Sequence, residues 1–107
     1  MIVKFSSSIT HRGAAVEILI ETLQALFESL NMGYTAEADP NRDRAVVVRD
    51  LNGEIRFRID TARPYGIYEV RKDNRDSLIA TGMRDKRALA KFAVASIRRY
   101  EEARYLS

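Results

Sequence analysis

The chain reads as an α+β domain in the order β-α-β(4–5)-α. The expected form is a mostly antiparallel curved sheet with two helices packed on one face, leaving the other face open. Three stretches carry this expectation. Residues 14–33 place Val16, Leu19, Leu23, Leu26 and Leu30 at alternating three- and four-residue spacing, a single apolar seam along a helix. Residues 54–60 alternate, with Ile55, Phe57 and Ile59 pointing one way and Glu54, Arg56, Arg58 and Asp60 the other. They follow Asn52-Gly53, a strong hairpin signal, because both central positions of a type I′ turn need positive φ. Residues 85–104 return to helical periodicity behind Asp85, a good capping residue.

Residues 1–5 include Ile2, Val3 and Phe5 and are expected to form a first strand. Residues 6–13 are small and polar and read as a loop in which Ser8 or Thr10 caps the following helix. That loop, with its hydroxyls, Arg12 and Gly13 before a helix start, is also a candidate anion site, although the Gly-x4-Gly-Lys spacing of a phosphate loop is absent. In the helix over 14–32, Ile20 and Phe27 widen the seam. Glu17, Glu21, Gln24, Glu28 and Asn31 form a polar stripe, and Gly33 suits the left-handed residue that ends a helix. Ile18 and Ala25 extend the apolar surface beyond one contact face, which would suit a helix-mediated dimer.

Residues 34–39 and 44–50 read as strands around the turn Pro40-Asn41-Arg42-Asp43. Residues 54–60, 67–72 and 77–81 complete the sheet, separated by a loop over 61–66 and the turn Asp73-Asn74-Arg75-Asp76. The final helix is expected to bury Leu89, Phe92, Ala93, Ser96, Tyr100 and Ala103. Opposite them Arg84, Arg87, Lys91 and Arg98 form a basic stripe.

The 107 residues are 46% hydrophobic and 31% charged, which fits one domain over 1–107 and is too apolar for disorder. With no cysteine, disulfides and thiolate metal sites are excluded. No apolar run approaches the roughly 18–20 residues of a membrane span, and the N-terminus lacks a basic region followed by an apolar one. A cytoplasmic protein with no membrane partner is therefore expected. His11 is the only histidine, and no base, nucleophile or metal ligand stands with a matched partner. The expectation is a non-enzyme without metal or cofactor.

Charge is unevenly spread. Residues 1–62 carry seven basic and nine acidic side chains, and residues 63–107 carry eleven and six. A two-residue loop at Asn52-Gly53 would pair Val48 with Phe57, Val46 with Ile59, and Arg49 with Arg56. Like charges directly opposed are destabilising. Arg49, Arg56 and Arg58 would then cluster on the sheet face away from the helices. Arg71, Val47, Ile67 and Ile79 would join them there, and Glu54, Asp60 and Glu69 would offset the charge. The candidate partner-binding residues are Arg49, Arg56, Arg58 and Arg71 on the sheet, and Arg84, Arg87, Lys91 and Arg98 on the last helix. Nucleic acid is the first candidate partner, since arginine pairs bidentately with phosphate and with guanine edges. Stacking aromatics are few, namely Tyr34, Tyr65 and Tyr68. The alternative is a protein-binding inhibitor, adaptor or immunity-type protein that uses the same face for a protein partner or for homodimerisation.

The element order, with Leu78-Ile79-Ala80-Thr81-Gly82 before the last helix, resembles a single repeat of the TATA-binding protein. The likeness rests on those five residues. The chain has an extra strand and no second repeat, and no site residue is carried over from the resemblance. The basic, alanine-rich final helix is similar to that of the double-stranded RNA-binding domain, whose three strands and lysine pattern differ from this chain.

Overall fold

A computed structural model of the chain describes residues 2–62, 65–71, 75–81 and 88–106, with side chains from 15 to 104 within those limits. Helix α1 (Ile2–Ser29) is followed by strands β1 (Thr35–Ala38), β2 (Ala45–Arg49), β3 (Ile55–Asp60), β4 (Gly66–Val70) and β5 (Asp76–Thr81), then helix α2 (Leu89–Leu106). Each strand pairs antiparallel with the next, giving one open five-stranded sheet in chain order. Both helices pack on one face, with α1 over β1 and β2 and α2 beside it toward β5. The α+β class, the antiparallel sheet and its helix-covered face are as expected.

The core lies between these layers. Val16, Leu19, Leu23 and Phe27 of α1 meet Val46, Val48, Phe57, Ile59 and Ile67 of the sheet, and Ala90, Ala93, Val94 and Ile97 of α2 complete it. Leu23, Val46, Val48, Ile59, Ile67 and Ile97 are fully buried. Full burial of such a side chain contributes roughly 1.5–3 kcal/mol. Tyr34 links the layers: its ring packs edge-on to Phe27 and Phe57, and its hydroxyl donates to Glu101 of α2 at 2.6 Å.

The N-terminal expectation is corrected. Residues 2–13 continue α1 and form neither a first strand nor a capping loop. Ile2, Val3 and Phe5 do not alternate strictly, and no proline or glycine interrupts residues 2–12, so a helix nucleated farther on extends at little further cost. Gly13 inside the helix costs about 1 kcal/mol relative to alanine, which a long helix tolerates. With no helix start at 6–13, the candidate anion site there has no physical basis. The missing first strand also removes the match to the order of a TATA-binding-protein repeat.

At the other end of α1 the left-handed residue is Asn31, with φ 55°, two positions before the glycine expected to play that part. The Asn31 N–H donates to the Glu28 carbonyl at 3.1 Å and the Met32 N–H to the Phe27 carbonyl at 2.9 Å. These two bonds make a Schellman cap and satisfy carbonyls that the helix end would leave open. The early stop leaves Leu30 beyond the seam and substantially exposed, and Phe27 takes the core position at this end.

The β2–β3 hairpin departs from a two-residue turn. The Asp50 N–H donates to the Glu54 carbonyl at 3.0 Å, and Gly53 has φ 80°. The loop is therefore the three residues 51–53, with glycine at its left-handed position. The Asp50 carboxylate secures it by accepting from the backbone N–H groups of Asn52 and Glu54. This loop sets Arg49 opposite Ile55, and a bulge then restores the expected pairs Val48–Phe57, Val47–Arg58 and Val46–Ile59. Arg56 is the extra residue. Arg49 and Arg56 therefore do not face each other, and the like-charge opposition never arises.

The phase of β4 is also opposite to expectation. Ile59 pairs with Ile67 and Phe57 with Glu69, so Ile67, Glu69 and Arg71 fall on the helix side of the sheet. A second bulge, at Ile79 between the pairs Ile67–Ala80 and Tyr68–Leu78, turns Ile79 toward the core as well. In α2 the buried ridge includes Ala90, Val94 and Ile97, and Ala103 is exposed. Asp85, Arg84 and Arg87 lie outside the described residues. No described helix is long and apolar enough to cross a membrane.

Candidate anion-binding cleft

The β3–β4 ladder runs only between Phe57–Glu69 and Asp60–Gly66. Beyond Phe57–Glu69 the two strands are no longer paired, and the bulge that leaves Arg56 as the extra residue of β3 lies at this point. Between the start of β3 and the end of β4 lies an open cleft of about 1220 Å³. It is lined by Glu54, Ile55, Arg56, Arg58, Glu69, Val70 and Arg71, with Arg49, Gly53 and Asn41 on one side and Tyr100 and Arg104 of α2 on the other. All four expected sheet arginines, Arg49, Arg56, Arg58 and Arg71, thus border one cleft, although they come from different faces of the sheet.

Their roles differ. Arg58 is structural. Its Nε donates to Asp39 at 2.7 Å and its NH1 donates to Asp76, so a central strand is tied to residues at both edges of the sheet. The Arg58 side chain is 13% exposed and that of Asp39 1%. Burial alone would raise the Asp39 carboxyl. The Asn41 backbone N–H and the Arg58 guanidinium outweigh burial and hold it below the ordinary carboxylate value. Arg42 adds a looser contact to Asp76 at 3.6 Å.

Arg49 is engaged with Glu37 and donates to the Gly53 carbonyl at 2.7 Å, which braces the hairpin loop. Arg56 and Arg71 are held more loosely. Arg56 lies 3.5 Å from Asp50 and its side chain is 40% exposed. Arg71 lies 3.9 Å from Glu69 and is 59% exposed. Exposed pairs at such distances contribute about 0–1 kcal/mol, so these guanidinium groups can exchange partners at little cost.

Three further residues complete the cleft: Glu69, expected only to offset charge on the outer face, Tyr100, expected only in the buried face of the last helix, and Arg104, for which no role was expected. Arg104 NH1 donates to Glu69 at 3.0 Å, and its guanidinium lies 5.9 Å from the centre of the Tyr100 ring. Burial, and then the adjacent Glu69 carboxylate, push the Tyr100 phenol above its ordinary value. Their signal was the parity of β4: once Ile67 is placed in the core, Glu69 and Arg71 must share its side and meet α2.

The broad outer face is not an arginine face. It carries Glu37 beside Val47 and Arg49, Arg58 and Asp60 on β3, and Tyr68, Val70, Asp76 and Leu78 beyond. Val47 is fully buried on this face, between its cross-strand partners Glu37 and Arg58. On α2, Lys91, Arg98 and Arg99 are exposed and form no ion pair with a described carboxylate. Among the described residues no group of three or more histidine, aspartate or glutamate side chains is placed to hold a metal ion. No protein-family model, curated protein or solved structure matches this chain.

Proposed function

We propose that this domain is a non-enzymatic binding module for an anionic partner, nucleic acid first, and that it takes the partner's phosphates in the cleft between β3 and β4. One observation carries the reading: the lining sets five arginines against two glutamates in a single opening. Arginine suits that task, because its planar fork pairs with phosphate through two hydrogen bonds. Arg56, Arg71 and Arg104 are the contact groups, while Arg49 and Arg58 hold the walls. Lys91, Arg98 and Arg99 are also exposed on α2, on a different side of the helix from Arg104. The experiment is a salt titration with labelled single-stranded and duplex DNA and with RNA. Log affinity should fall linearly with log salt, by about 0.9 per phosphate neutralised on duplex DNA and about 0.7 on single strands. Absence of binding at low salt would end the proposal.

A second reading, a protein partner or a second copy on the outer sheet face, is favoured by Leu78. It is 53% exposed, beside Tyr68 on a face whose arginines already have carboxylate partners. A concentration-independent monomer in sedimentation, unchanged by Leu78→Lys, would remove self-association.

A further inference from the structure

Resting on the cleft as the site of anion binding, we infer that Glu69 is its resident anion, a carboxylate of the chain itself that holds the position an incoming phosphate would take. Glu69 is buried on the helix side of β4. Its Oε2 accepts from Arg104 at 3.0 Å, its Oε1 lies 3.9 Å from Arg71 Nε, and the Tyr100 side chain lines the cleft beside the same carboxylate. A guanidinium from the end of β4, another from the last turns of α2 and a phenol thus converge on one negative group. This is the donor set that a phosphate site uses.

The three contacts are not equivalent. Arg104 is hydrogen-bonded to the carboxylate, and Tyr100 lies beside it. Arg71, at 3.9 Å, is beyond hydrogen-bond distance and is held by charge alone. A phosphate entering between Arg71 and Arg104 gains their donors but meets the Glu69 charge at contact distance. Two unit charges that close repel even in bulk water, enough to weaken binding ~5-fold. Glu69 therefore sets the affinity of the cleft without contributing to its attraction, and keeps the arginines converged while no ligand is bound.

The test is Glu69→Gln, which keeps the side-chain shape and an acceptor oxygen for Arg104 while removing the charge. Affinity for a labelled oligothymidylate is measured for wild type, for Glu69→Gln and for Glu69→Gln with Arg71→Gln, each over a salt series and each with a thermal melt. The expected result is binding at least ~5-fold tighter in Glu69→Gln at low salt, a gain that shrinks as salt rises and that largely disappears when Arg71 is also replaced. Equal or weaker binding by a folded Glu69→Gln overturns the inference while leaving the cleft reading intact if wild type binds. Failure of both wild type and Glu69→Gln to bind overturns the two together. Binding by Glu69→Gln alone supports both. Should Glu69→Gln not fold, Glu69→Asp withdraws the charge by one methylene; a gain of ~2-fold is then expected, and equal or weaker binding overturns the inference.

Discussion

Replacing Arg58 by methionine removes the one cation shared by the buried Asp39 and the half-buried Asp76. Asp39 is left with only the Asn41 N–H, in a setting where its side chain is 1% exposed, while Asp76 retains Arg42 at 3.6 Å. Removing one partner of a buried ion pair costs about 3–5 kcal/mol, because the charge left behind is uncompensated. The surviving Arg42 contact puts this case at the lower end, about 3 kcal/mol at pH 7. For a domain of this size that corresponds to a fall in Tm of roughly 10–20 °C.

The loss carries a pH signature. The folded-state carboxyl of Asp39 is depressed, so its contribution is fully present above its unfolded pKa, near 3.9, and is lost as pH falls through the lower folded value. Arg58→Met abolishes most of that contribution, so the gap between variant and wild type should close as pH drops below about 4. Urea unfolding followed by circular dichroism at pH 7 and at pH 3 measures both quantities. Replacing all three residues, with Asp39→Asn and Asp76→Asn added, should recover most of the loss at pH 7, since no unpaired charge then remains. A loss below about 1 kcal/mol at pH 7, or a gap independent of pH, would refute the account of Arg58 as the fastening of the sheet.

Other perturbations test neighbouring features. Asn31→Ala places a Cβ without a helpful polar group in the left-handed region at the α1 cap and should cost about 1 kcal/mol in urea unfolding, whereas Asn31→Gly should be neutral or better. Tyr34→Phe deletes the bond to Glu101 and should cost about 1 kcal/mol at pH 7. Burial first, and then Glu101, raise the Tyr34 phenol in the folded state. Its contribution is therefore present below the unfolded value near 10 and is lost as pH rises beyond it, so the phenylalanine variant should lose less stability than wild type in alkaline melts. Gly66→Ala would set a Cβ 2.7 Å from the Tyr68 ring, so the ring must leave its place; altered Tyr68 ring resonances with a lower Tm are expected.

Much of this architecture is legible in the residues. Strict alternation in 54–60 and the leucine spacing in α1 each have one reading, and both stretches form those elements, although α1 begins earlier and stops before Leu30. The sequence 67–72 does not: Ile67 and Glu69 share one parity, Tyr68 and Val70 the other, so apolar residues fall on both sides and the period alone cannot choose a face. The choice comes from Ile59, whose cross-strand partner is Ile67, and that pairing is a tertiary fact. The same error hid the meeting of Glu69 with Tyr100 and Arg104, which arises only once β4 faces α2. The hairpin shows a second limit. Asn52-Gly53 marks a turn correctly, but Asp50 closes the loop one residue wider, and the resulting bulge moves Arg56 out of its expected pair. At the N-terminus, β-branched residues favoured a strand locally and continuity with α1 prevailed.

The proposal that the cleft receives an anionic partner is tested most directly by mapping it. Backbone amide and arginine side-chain resonances of the intact chain would be followed by NMR while an oligothymidylate is added at low salt. The account predicts saturable shifts concentrated at Arg56, Arg71, Tyr100 and Arg104, with the Arg58 and Asp39 signals little changed and the shifts reversed by added salt. Shifts confined to Tyr68, Leu78 and the outer face, or no shifts at all at low salt, would contradict it.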